Sequence, residues 1–146
     1  MLNSPMRIET AQLRDLAKRY TAAWCSKNPA SVAAYYSSEG SLTINEGAPS
    51  VGRAAITEVA RSFMTAFPDL QVLMDDLLVE GGSAVYHWTL IGVNTGPGGS
   101  GRSVRISGFE EWKIGGDGLI AESRGHFDSA AYERQFKQGS RNIEPA

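Results

Sequence analysis

The strongest constraint on this chain is a change of hydrophobic period at Phe67-Pro68. Before it, apolar residues recur every three or four positions, the spacing of helix faces. After it they alternate, the spacing of strands with one buried side. Leu13, Leu16, Ala17, Tyr20 and Trp24 make the stripe of a first helix with Thr10 as its N-cap. Asn28-Pro29 ends that helix and reads as N-cap and first position of a second one. The second helix carries Val32, Tyr35 and Tyr36 inward and ends near Gly40. Leu42 and Ile44 then share one face of a short strand, residues 41–45, and a turn-rich stretch leads to a third helix. Its stripe is Ile56, Val59, Ala60, Phe63, Met64 and Phe67, and Pro68 bars its extension.

The second half is strand-like. Residues 69–80 and 83–94 alternate and are joined at Gly81-Gly82, a hairpin signal. A glycine-rich loop, 95–102, precedes a third long strand at 103–114, a turn at 115–118 and a fourth strand at 119–127. Asp128 or Ser129 caps a last short helix through Phe136. Tight turns between long strands mean antiparallel pairing, so the class is α+β rather than a doubly wound sheet. A sheet of this length is expected to curl around the three N-terminal helices and to leave a cavity. The boundaries place one domain at 9–138, with tails at 1–8 and 139–146.

The 14 basic and 16 acidic residues nearly balance, which leaves no concentrated basic face for nucleic acid. No apolar run approaches the roughly 18–20 residues of a membrane span, and the start lacks an apolar leader segment. The expectation is a whole soluble chain. A single cysteine, Cys25, excludes an internal disulfide, suits a reducing cytosol and reads as a small buried hydrophobe. Gly96-Pro-Gly98-Gly-Ser-Gly101 matches a dinucleotide fingerprint literally, yet a strand follows it where the fingerprint needs a helix. His87 and His126 fall on different strands with no matching cysteine or aspartate spacing, so neither metal nor cofactor is expected.

Alternation sorts the strand faces. Tyr86, Trp88, Leu90 and Asn94 share one side of the second strand, and Val104, Ile106, Glu110, Trp112 and Ile114 share one side of the third. The tryptophans nominate these as the helix-facing sides. Glu110 is then a carboxyl on an apolar face, unless a one-residue slip carries it to solvent. The aromatic residues Tyr20, Trp24, Tyr36, Phe63, Trp88 and Trp112 either wall a pocket for a flat hydrophobic ligand or fill the core. Arg124, His126 and Asp128 alternate on one side of the last strand, where Asp128 could orient His126 or cap the following helix. The opposite sheet face carries Val85, Ile91, Val93 and Phe109, an apolar patch that suits an isologous homodimer.

Several fragments, taken in order, resemble the NTF2-like superfamily: Tyr20-Thr-Ala-Ala-Trp24, Val51-Gly-Arg-Ala-Ala-Ile56, Phe67-Pro-Asp-Leu70, Trp88 to Gly96, and Gly118-Leu-Ile-Ala-Glu122. Within it the chain resembles the SnoaL-like polyketide cyclases and, more distantly, the ketosteroid isomerases, over residues 10–136. The resemblance implies a cystatin-like α+β barrel, a cone-shaped curved sheet with a pocket at its wide end. It also implies an oxyanion-binding tyrosine at Tyr20 and a protonated acid at Glu110. The isomerase base falls at Ile44 or Asn45, where no carboxylate stands. The cyclase acid/base falls nearest His126 and Asp128, and the cyclases' histidine before Thr-Gly is Asn94 here. The function so implied is proton transfer next to a carbonyl, as in aldol cyclisation or isomerisation, without a cofactor. Glu110 and Tyr20 would steady the enolate, and His126, helped by Asp128, would move the proton within a shared cavity. The alternative is a non-catalytic ligand-binding or dimerisation domain.

Overall fold

The computed structural model describes residues 9–138; the two expected tails lie outside the described residues. The elements are α1 (Thr10–Cys25), α2 (Pro29–Ala33), β1 (Tyr36–Ile44), β2 (Ser50–Val51), α3 (Arg53–Ala66), β3 (Gln71–Glu80), β4 (Ser83–Val93), β5 (Ser103–Ile114), β6 (Ile120–Phe127) and α4 (Ser129–Gln138). They form one curved, six-stranded sheet in the order β2-β1-β6-β5-β4-β3. The α+β expectation holds, with one amendment: β1 and β6 pair in parallel. Every tight turn here makes an antiparallel neighbour, but β1 meets β6 only after the chain between them has come round, and that route imposes no such direction.

Local chemistry explains most boundaries. Glu9 rather than Thr10 is the N-cap of α1, its N–H donating to Gln12 Oε1 at 3.0 Å. Asn28 caps α2 as expected, its side chain accepting from Ala30 N–H, with Pro29 at the first position. The second helix is shorter than its pattern suggests, and Tyr36 opens a strand instead. A helix this short gains little from propagation. Pairing with β6, through Ile120 N–H to Tyr35 O at 2.9 Å, captures the backbone there. Gly118, at φ +79°, supplies the left-handed turn between β5 and β6.

The core lies between α1–α3 and the inner face of the sheet. Leu13, Ala17, Tyr20, Val32, Tyr36, Ile56, Phe67 and Ile120 are fully buried. Tyr86, Trp88 and Leu90 of β4 and Val104, Ile106 and Trp112 of β5 all point into it, as the alternation implies. Asn94, expected in the pocket wall, is a fold-building residue: its Nδ2 donates to Ala66 O at 2.9 Å and its Oδ1 accepts from Ser100 N–H at 2.7 Å. It ties the 95–102 loop to the end of α3. No helix among the described residues is long and apolar enough to cross a membrane.

Candidate active site

The buried carboxyl at the centre is Glu110, only 8% exposed. β5 places it opposite Gly125, so no side chain faces it across the strand pair. Three donors converge on Oε1: Trp112 Nε1–H at 2.8 Å, Ser123 O–H at 2.8 Å and Tyr20 O–H at 3.1 Å. Oε2 receives only the longer Tyr20 contact, at 3.3 Å. Tyr20 reaches the acid from α1 and also bonds Tyr36 O–H at 2.8 Å. Burial pushes the Glu110 pKa above the ordinary glutamate value, while the bonds from Trp112, Ser123 and Tyr20 draw it partly back. Burial, reinforced by the nearby Glu110 carboxylate, raises Tyr20 and Tyr36 well above the ordinary tyrosine value, so both keep their protons.

Glu110 lies in the wall of a cavity of about 60 Å³ shared with Trp24, Leu42, Ile44, Phe63, Val72, Tyr86, Trp88, Phe127 and Tyr132, among others. That lining is almost wholly apolar. Its volume is small against the roughly 300–1,000 Å³ of typical small-molecule sites. A larger ligand therefore requires part of the wall to move. Tyr132 and Phe136 of α4 are only partly buried. Three side chains hold that helix: Gln135 brackets Arg105 of β5, accepting from its N–H at 2.6 Å and donating to its O at 3.0 Å, Phe136 stacks on Phe67 at 6.0 Å, and Tyr132 packs against Phe63, Phe67 and Phe127.

The structure brings together Tyr20, Trp24, Phe63, Trp88 and Glu110 at this site. Tyr36 and Trp112 stand behind it, Trp112 stacked on Tyr86 at 4.8 Å. His126 does not join them, and the expected shared cavity is corrected here. The one irregularity of the β5–β6 ladder falls between Lys113 and Ile114. Residues 122–127 then pair without interruption, so alternation sets His126 opposite Phe109 on the outer face. There His126 stacks on Phe109 at 4.8 Å and its Nε2 lies 2.9 Å from Glu111 Oε1. Asp128 does not orient it: its Oδ1 accepts from Ala131 N–H at 3.0 Å, which makes it the cap of α4. At the isomerase base position Ile44 lines the cavity, while Asn45 accepts from Phe127 N–H at 2.9 Å. Ser123 is a site residue outside the expected set; it shares the inner face of β6 with Gly125 and Phe127. Among the described residues no group of three potential ligands could hold a metal ion.

Fold and site define a class: a curved sheet closed over helices, with a small apolar cavity and one buried carboxyl in its wall. The description "SnoaL-like polyketide cyclase" matches residues 14–136, and the chain belongs to that family. A protein from Jannaschia sp. CCS1 described as a SnoaL-like polyketide cyclase is 19% identical with TM-score 0.78, over 96% of this chain and 99% of its own. TsrD from Streptomyces laurentii is 26% identical with TM-score 0.77, over 88% and 97%. A protein of ketosteroid isomerase-like fold from Catenulispora acidiphila, in complex with trimethylamine, is 14% identical with TM-score 0.75, over 90% and 98%. No curated protein matches the sequence.

Proposed function

We propose that the cavity takes a small, largely apolar carbonyl compound and that Glu110, in its neutral form, donates from Oε2 to the carbonyl oxygen. The reaction class is proton transfer next to that carbonyl, as in aldol cyclisation or isomerisation. Charge gathers on the oxygen as the α-proton leaves, and a preorganised donor in a low-dielectric site stabilises it. The uneven bonding of Glu110 carries this reading: Oε1 has three donors, whereas Oε2 has one long contact. No other carboxylate and no histidine lines the cavity among the described residues. The α-proton therefore goes to water. That same lack of a protein base favours a second reading, a pocket that binds without turnover.

Exchange of the α-protons of cyclohexane-1,4-dione for deuterium, followed by NMR, separates the two. Catalysis predicts exchange above the buffer rate that falls to it in a folded Glu110→Ala variant. Binding of the dione with exchange at the buffer rate supports the second reading and removes the first.

We propose also that two copies meet through the outer sheet face. Leu73 and Leu78 are 43% and 54% exposed there. A groove of about 560 Å³ is lined by Leu78 and Val85 with Glu111, Lys113, Glu122 and Arg124, whose mixed signs can complement each other across a two-fold axis. Sedimentation at micromolar concentration should show a dimer; a monomer removes this proposal.

A further inference from the structure

Trp88 has a buried polar atom with no hydrogen-bond partner among the described residues, its indole Nε1. The residue is 8% exposed and forms part of the cavity wall. Buried N–H groups almost always find an acceptor, so an orphan in a cavity wall calls for an explanation. The indole is not free to swing toward one. Trp88 pairs with Gly108 in the sheet, and a Cβ at Gly108 would stand 2.6 Å from indole Cζ2. The ring thus occupies the space that a side chain at 108 would need. Phe127 packs against it in a T-shaped arrangement at a centroid distance of 6.0 Å.

Glu110 is two residues from Gly108 on the same face of β5, hence the diagonal neighbour of Trp88. Such pairs have Cα atoms about 7–8 Å apart, within the span of one small ring compound. We infer that Trp88 Nε1–H is a second ligand-reading donor, and that the cavity selects a small compound carrying two oxygen acceptors, one for Glu110 and one for Trp88. The inference rests on reading the cavity as a ligand site. It adds that a dicarbonyl or hydroxy-carbonyl compound is preferred over a monoketone or a hydrocarbon of the same shape. Trp88 positions the ligand and moves no proton.

Three shape-matched probes test it on the ¹⁵N-labelled full chain: cyclohexane-1,4-dione, cyclohexanone and methylcyclohexane. The chain has three tryptophans, and Trp112 Nε1, already bonded to Glu110, serves as an internal comparison. The dione should bind about three- to tenfold tighter than cyclohexanone, the size of one net hydrogen bond. It should also move the Trp88 indole N–H resonance downfield, which methylcyclohexane should not. Trp88→Phe keeps the ring and lacks the donor, and should erase the preference of the dione over cyclohexanone. Equal affinity for the dione and cyclohexanone in the wild type overturns the inference, as does a Trp88 resonance that bound dione leaves unmoved. Neither readout needs the variant to fold. Failure of all three probes to bind overturns the reading of the cavity itself. Binding of all three without preference overturns only the role of Trp88.

Discussion

Ser123→Ala isolates how Glu110 is held. Ser123 is fully buried and its hydroxyl donates to Glu110 Oε1 at 2.8 Å. At low pH the acid is neutral in the folded and unfolded chain alike. Loss of a neutral hydrogen bond should then cost about 1 kcal/mol, or roughly 2–4 °C in Tm for a chain this long. The sign at higher pH follows from proton linkage. Glu110 binds its proton more tightly when folded than the ordinary 4.5 of the free group. Its contribution to stability is therefore full below 4.5 and is lost as pH rises through the folded value. Ser123 favours the ionised form, so its removal raises the folded pKa further and prolongs that loss. A bond to a charged acceptor is worth about 1.5–3 kcal/mol. The gap between wild type and Ser123→Ala should thus widen from about 1 kcal/mol at pH 4 toward that range once the wild-type acid is ionised. Chemical denaturation across pH 4–9, with Glu110→Gln and the double variant, measures it. Comparing variants cancels the other acidic groups. A gap that stays constant with pH, or one that still widens in the Glu110→Gln background, refutes the reasoning.

Tyr20→Phe removes the bond to Tyr36 and both contacts to Glu110. Thermal melts should show a loss of about 1–3 kcal/mol, because buried groups are left short of partners. His126→Gln removes an outer-face contact to Glu111, and calorimetric titration with cyclohexane-1,4-dione should give an unchanged affinity, with stability altered by less than about 1 kcal/mol. Gln135→Ala deletes both bonds that hold α4 to Arg105, so hydrogen exchange should quicken at Arg105 and along α4 while β3–β5 stay protected.

Strict alternation made much of the sheet readable. Tyr86, Trp88 and Leu90, with Glu110 and Trp112, had to share one side once Gly81-Gly82 was a hairpin, because a one-residue slip would expose the whole apolar set. That is why the buried carboxyl and its apolar surroundings were legible. Features set by long-range pairing were not. A hairpin centred between Gly116 and Asp117 puts Glu110 opposite Ser123, but the irregularity at Lys113–Ile114 leaves it opposite Gly125. The same ladder, unbroken from 122 to 127, is what keeps His126 outside. Tyr36 reads as helical in a stripe with Val32 and becomes a strand only because β6 is there to pair with it. Asn94 matches a ligand-contacting position by its neighbours in sequence, yet its partners, Ala66 and Ser100, belong to the packing of a loop on a helix end. Ser123, opposite Glu110 in that simple count, stands opposite Trp112 in the sheet and still reaches the acid with its hydroxyl.

A core shaped for stability alone would not hold an ionisable group at position 110. Tyr20, Trp112 and Ser123 come from α1, β5 and β6, so the arrangement needs several elements to agree, and it still leaves the proton affinity raised. Glutamine has the same shape and can offer its amide nitrogen where the acid offers its hydroxyl, without ionising. Glu110→Gln should accordingly match wild type at pH 4 and exceed it in stability as pH rises, by about 1.4 kcal/mol for each tenfold difference in proton affinity between the folded and unfolded chain. The amide is a weaker donor to a developing oxyanion, so the same substitution should slow α-proton exchange of the dione while preserving its binding. Gains that grow with pH alongside falling exchange would mark a site where stability is given up for chemistry. A variant less stable than wild type at pH 8 would mean that Glu110 is held ionised by its three donors, and the neutral-acid mechanism would fall with it.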